Sequence, residues 1–130
     1  MKSRILFVTG HREDARAVTE MLRALPLAVE HVRTLKQART RLLAKHFDVV
    51  LSESSLDDGN WLDVLDLTRD ITSQPQLIVT DPNADTRFWA EALNRGAYDL
   101  IAQPFYESEV RRILHNACSR PAPAIARAAV

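Results

Sequence analysis

Among the side chains that could ligate a metal, His11, His31, His46 and His115 are scattered over loops, strand and helices, and only His115 and Cys118 stand at helical i, i+3 spacing. Two ligands do not make a zinc site. Cys118, on the last helix, reads as a small buried hydrophobe rather than a reactive thiol. The stretch VTGHRED has a single glycine and matches neither the phosphate-binding loop nor the dinucleotide fingerprint. Neither Ser54 nor Ser55 lies in a nucleophile-elbow pattern, so a hydrolase is disfavoured. In Asp57-Asp58-Gly59 the acids read as turn residues, with Gly59 permitting a positive φ. Four polar clusters remain: Thr9-Gly10-His11, Glu53-Ser54, Thr80-Asp81 and Gln103-Pro104.

The elements that must position these clusters are short β-rich runs alternating with segments of helical period. The runs are Ile5-Val8, Ala28-Val32, Val49-Ser52, Leu77-Thr80 and Tyr98-Ala102. This is the pattern of a parallel sheet covered on both faces. Ala15, Val18, Leu22 and Leu25 line one face of a first helix that Pro26 stops. Thr34 to Gln37 opens the second helix as a capping box, and Leu35, Ala38 and Leu42 form its buried stripe. The third runs from about Trp61 to Arg69, and the fourth from about Thr86 to Arg95, ending at Gly96 as a left-handed cap. Along Glu107 to Cys118, Val110, Ile113, Leu114 and Ala117 face the sheet while Arg111, Arg112 and His115 face water. Residues 1–118 make one domain, and 119–130, with two prolines and little to bury, read as a flexible tail or linker.

A chain of 130 residues is large enough to bury about two-thirds of the surface of its unfolded form in a single domain. Its 17 basic residues balance 17 acidic ones, and no Lys/Arg run exceeds the pair Arg111-Arg112, so direct nucleic-acid binding and membrane binding are disfavoured. The single cysteine excludes an internal disulfide. No stretch approaches the roughly 18 apolar residues of a membrane span, and the apolar run after Met1 is too short for a signal-peptide core. A cytoplasmic location is expected.

Five βα units of this size predict a doubly wound, flavodoxin-like (βα)5 sandwich of strand order 2-1-3-4-5, with any site at the C-terminal strand ends beside strands 1 and 3. DVVLSESSLDDGNWLDVL (Asp48 to Leu65) and EALNRGAYDLIAQPF (Glu91 to Phe105) resemble the receiver domains of two-component response regulators. The resemblance covers roughly residues 4 to 118, and the second stretch is the more specific.

This resemblance implies a phosphoryl-transfer site whose positions are substituted here. The acidic pair that follows strand 1 in the family, and helps hold magnesium, is matched by Thr9 and Gly10, which removes most of the charge a hard ion needs. No metal or other cofactor is expected. Glu13 and Asp14 lie beyond the strand end and read as a solvated first helical turn. Glu53 stands at the phospho-acceptor position, either as a built-in mimic of the phosphoryl charge or as a solvated loop acid. The lysine position is Gln103, which leaves Glu53 without its expected cation. Thr80 matches the switch hydroxyl, or is simply a β-branched strand residue, and Leu100 takes the place of the switch aromatic. Gln103-Pro104 matches an X-Pro step that is cis in the family. Trp61 replaces a loop glycine and either covers the crevice or packs into the body.

The leading expectation is a pseudo-receiver that is not an enzyme and acts through a protein partner: a histidine kinase, another regulator, an effector, or a second copy of itself. Two alternatives stand beside it: a receiver phosphorylated unconventionally on Asp57 or Asp58, and a small-ligand-binding flavodoxin-like domain. The expected contact surface is helix 4, strand 5 and helix 5, through which receiver domains often pair. Phe88 and Trp89 are adjacent on helix 4 and point about 100° apart, so one should be partly exposed. Arg87, Arg95, Arg111 and Arg112 would rim it.

Overall fold

The computed structural model describes residues 2–119, so most of the expected tail lies outside the described residues. Five strands, β1 (Ser3–Val8), β2 (Leu27–Val32), β3 (Val49–Glu53), β6 (Gln76–Asp81) and β7 (Asp99–Ala102), form one parallel sheet in the order β2-β1-β3-β6-β7. Counting only those sheet strands, the order is the expected 2-1-3-4-5. Between them run α1 (Arg12–Met21), α2 (Leu35–Ala44), α3 (Trp61–Asp70), α4 (Thr86–Arg95) and α5 (Glu107–Cys118). The strands begin or end one or two residues from the expected limits. Three helices (α3, α4 and α5) begin where expected.

Alternation along the strands sorts the core into two layers. Ile5, Phe7, Val49, Leu51, Ile78 and Ile101 point to the side covered by α1 and α5, where they meet Val18, Val110 and Leu114. Leu6, Val8, Val50, Leu77, Val79 and Leu100 point to the other side, against Ala38 and Leu42 of α2, Trp61 and Val64 of α3, and Ala92 of α4. Because successive strand residues face opposite ways, a one-residue slip would exchange the two sets. The register therefore aligns Val8 with Ser52, Glu53 with Thr80, and Asp81 with Ala102. All four polar clusters thus gather at one end of the sheet.

Three local features differ from the sequence reading. A two-stranded hairpin, β4 (Ser55–Leu56) with β5 (Gly59–Asn60), fills the connection between β3 and α3. Its Gly59 does not take a positive φ; Gly96 is the glycine that does, at 115°. A Cβ on Gly59 would instead fall 2.7 Å from Asp63 Oδ2, so close approach is what glycine permits there. At α2 the Thr34 hydroxyl accepts from Gln37 N, but the Gln37 carboxamide accepts from Arg33 N rather than from the cap residue. The reciprocal capping box is at α3, where Asn60 accepts from Leu62 and Asp63 while Asp63 accepts from Asn60 N.

Candidate functional site

The β1–α1 turn turns inward on itself. The buried Thr9 hydroxyl accepts from the backbone N–H of His11 at 3.0 Å, and its carbonyl accepts from His31 Nε2 at 2.7 Å. Thr9 therefore presents no charge to the cleft. Gly10 has no side chain to offer, and a Cβ built there would meet nothing within 4 Å.

Glu53 ends β3 and is only 8 % exposed, which excludes the solvated loop acid. Nor does it lack a partner. The His11 imidazole donates from Nδ1 to Glu53 Oε1 at 2.7 Å. That hydrogen bond, with the glutamate charge behind it, raises the His11 pKa above its ordinary 6.5. Asp14, one helical turn on from His11, is half-buried rather than solvated. Burial, and then the charge of Glu53, push its carboxyl above the ordinary carboxylate range. His11, Asp14 and Glu53 place one potential ligand atom each within 4.8 Å of one another. The sequence reading treats His11 as one of four scattered histidines and Asp14 as a helix-turn acid. The available signal is their i, i+3 spacing across the start of the first helix, where His11 is the N-cap and Asp14 lies in the first turn.

The other strand ends are occupied by hydrogen bonds of their own. Gln103 Nε2 donates to Thr80 Oγ1 at 3.3 Å. Asp81 accepts from Ser54 Oγ on one oxygen and from Asn83 N at 2.8 Å on the other. The Gln103-Pro104 bond is cis. Together these groups bound a cleft of about 570 Å³. Its lining includes Glu13, Asp14, Glu53 and Asp81 but no lysine or arginine, so His11 is its one cationic candidate.

The magnesium ion implied by the receiver resemblance suits this donor set poorly. Magnesium favours oxygen ligands in near-octahedral array, whereas Thr9 faces its own backbone, Gly10 supplies nothing, and an imidazole stands beside Glu53.

The remaining predicted residues fall in three places. Leu100 is buried in the α2–α3–α4 layer. Trp61 is 7 % exposed in the same layer and meets Phe88 at 6.0 Å between ring centroids, so it packs into the body instead of covering the crevice. Asp58 lies on the far side of the β4–β5 hairpin, accepting from the backbone N–H groups of Leu35 and Lys36 at 2.8 and 3.0 Å. Those bonds hold its carboxyl below the usual range, although both it and Asp57 are exposed.

Trp89 and Arg112 both line an open groove between α4, β7 and α5. Phe88 and Trp89 are both partly exposed, and the Trp89 indole donates to Asp99 Oδ1 at 3.2 Å. Arg111 turns the other way. Its Nε donates to the Met21 carbonyl at 2.7 Å, which ties α5 to the end of α1, and its Nη2 pairs with Glu107 at 2.6 Å, while the side chain stays partly exposed.

The fold is that of receiver domains. The chain superposes on the receiver domain of Francisella response regulator 1452 with a TM-score of 0.81 at 15% identity, covering 92% of this chain and 98% of that one. It matches the signal receiver domain of a putative Luxo repressor protein from Vibrio parahaemolyticus at 0.85 and 18% identity, over 92% of both chains. The beryllofluoride-activated NtrC4 receiver domain dimer matches at 0.81 and 18% identity, with 89% and 96% covered. In sequence the chain is 24% identical over 111 residues to the response regulator protein PilR of Pseudomonas aeruginosa, which covers 85% of this chain. It spans about a quarter of PilR's length. No family model matches.

Proposed function

We propose that this chain is a receiver module of a two-component signalling system that works in the cytoplasm by binding a protein partner, without magnesium-dependent aspartyl phosphorylation and without catalytic turnover. The receiver fold and the likeness to PilR support the signalling role. One observation carries the loss of phosphorylation: Thr9 and Gly10 put no carboxylate at the end of β1, and no lysine or arginine lines the cleft. A phosphoryl group needs magnesium and a fixed cation to neutralise it during transfer, and the ligands for the one and the side chain for the other are replaced. Glu53, its carboxylate already hydrogen-bonded by His11, is a weak mimic of a phosphorylated aspartate.

The partner surface in this reading is the α4–β7–α5 groove, where the half-exposed Trp89 and the exposed Arg112 stand together. A kinase, another regulator, an effector or a second copy would meet it there. The dimer of the NtrC4 receiver domain favours self-association as one mode. Incubation with magnesium and acetyl phosphate should leave the intact mass unchanged. A stoichiometric gain of one phosphoryl group would overturn the phosphorylation-independent reading.

A further inference from the structure

We propose that His11, Asp14 and Glu53 form a binding site for a divalent transition-metal ion of the zinc class, with a nitrogen and two carboxylate oxygens as protein ligands. This goes beyond the signalling reading and does not rest on it. The three ligand atoms converge within 4.8 Å from two directions, Glu53 from the end of β3, and His11 at the N-cap of α1 with Asp14 in its first turn. Strand β3 lies inside the sheet, hydrogen-bonded to β1 on one side and β6 on the other, which fixes the Glu53 backbone. On the helical side, the Thr9 hydroxyl holds the His11 backbone N–H and sets the start of the turn.

Charge selects a cation. Two carboxylates share one imidazole, and Glu13 and Asp81 add negative charge to the same cleft without any lysine or arginine. The cleft therefore attracts a divalent ion and rejects a free phosphate. Chemistry then selects which ion. Imidazole is a good ligand for zinc, nickel and copper, while magnesium prefers oxygen ligands and parts reluctantly with its water. Three protein ligands resemble an open zinc site more than a closed structural one, leaving further coordination to water or to a donor from a partner. Binding would displace the proton shared between His11 Nδ1 and Glu53 Oε1 and put the ion between them.

His46 and Asp48 form a second, exposed pair at 3.1 Å, with too few ligands to compete but enough to serve as a control. The test is isothermal titration calorimetry of the full chain, freed of metal by chelator, with zinc chloride and separately with magnesium chloride. One zinc per chain is expected, with little heat from magnesium at the same concentration. His11→Ala and Asp14→Asn should each weaken zinc binding at least tenfold, while His46→Gln should leave it unchanged. The His11 side chain is 68% exposed, so its removal should not unfold the chain, and circular dichroism checks this. Cobalt substitution should give visible d–d absorption that His11→Ala abolishes. Absence of zinc binding, binding insensitive to both His11 and Asp14, or equal affinity for magnesium would overturn the proposal.

Discussion

The Gln103 carboxamide lies 3.3 Å from the Thr80 hydroxyl, so the residue at the lysine position is spent on the residue at the switch position. Both belong to neighbouring strand ends, β6 and the segment just past β7, and Gln103 also lines the cleft that holds His11. Exchanging Gln103 for lysine would supply a cation yet restore neither carboxylate after β1. Gln103→Lys alone is therefore expected to remain unmodified by acetyl phosphate. Adding Thr9→Asp, Gly10→Asp and Glu53→Asp should produce an acyl phosphate, read as a hydroxylamine-sensitive mass gain.

Gly10 gives the simplest entry to that series. Its φ is not positive and a Cβ there meets nothing, so Gly10→Asp should change unfolding free energy by less than about 0.5 kcal/mol. The added carboxylate should also tighten divalent-cation binding in the cleft. Urea denaturation checks the first expectation and calorimetric titration the second. A large loss of stability would mean that the turn is less open than its geometry implies.

Asp58 acts as a remote cap for α2, since both its oxygens accept backbone N–H groups at that helix start. Replacing it with alanine should cost about 1 kcal/mol, in the range of lost helix caps. Asp57→Ala should cost much less, because the bonds to the start of α2 are made by Asp58. Parallel urea denaturation of the two variants measures the difference. Equal losses would assign the effect to the hairpin turn instead of the cap.

The Glu30–Arg41 pair sets an acid limb of stability. Arg41 Nε donates to Glu30 Oε2 at 2.5 Å, and this bond chiefly holds the Glu30 carboxyl below its ordinary 4.5. A carboxyl whose folded pKa is depressed contributes stability above its unfolded value and loses it as pH falls through the folded value. Wild type should exceed Glu30→Gln in Tm near neutrality, and the two curves should converge as pH falls through the depressed pKa of the folded Glu30 carboxyl. The pair is partly solvated, so a modest gap that shrinks in salt is expected.

Partner contact should depend on Arg112 rather than Arg111. Arg112→Glu and Trp89→Ala alter the groove, whereas Arg111→Glu breaks the link to Met21 and Glu107. Arg111→Glu should therefore lower Tm while leaving association intact. Sedimentation velocity and partner pull-down should respond to the other two substitutions. If neither substitution alters either measurement, the proposed face is wrong.

The order of elements was legible because each strand carries a β-rich apolar run and each helix a stripe of matching period. Gly96 announced the stop of α4, whereas α1 ends at Met21, well before the Pro26 expected to stop it. The hairpin at residues 55–60 was not, since two paired residues on each arm leave no alternation to read. Within the site, substitution could be read position by position at Thr9, Gly10, Glu53 and Gln103. What replaced the lost contacts could not, because the Glu53 partner, His11, is 42 residues away in sequence and meets it only across the β1–β3 register. Arg111 shows the same limit: its position on α5 predicts a solvated side chain, but the carbonyl at the end of α1 lies within reach.

The two tryptophans give the chain a pair of optical reporters in different surroundings. Trp61 is enclosed beside Phe88, so its emission should be blue-shifted and resistant to aqueous quenchers. Trp89 is half-exposed with its indole N–H on Asp99, so its emission should be redder and quenched by iodide or acrylamide. A partner seated on the groove would shield the second chromophore and leave the first dark to the event. Unfolding would expose both, so docking and denaturation carry separate fluorescence signatures without any label.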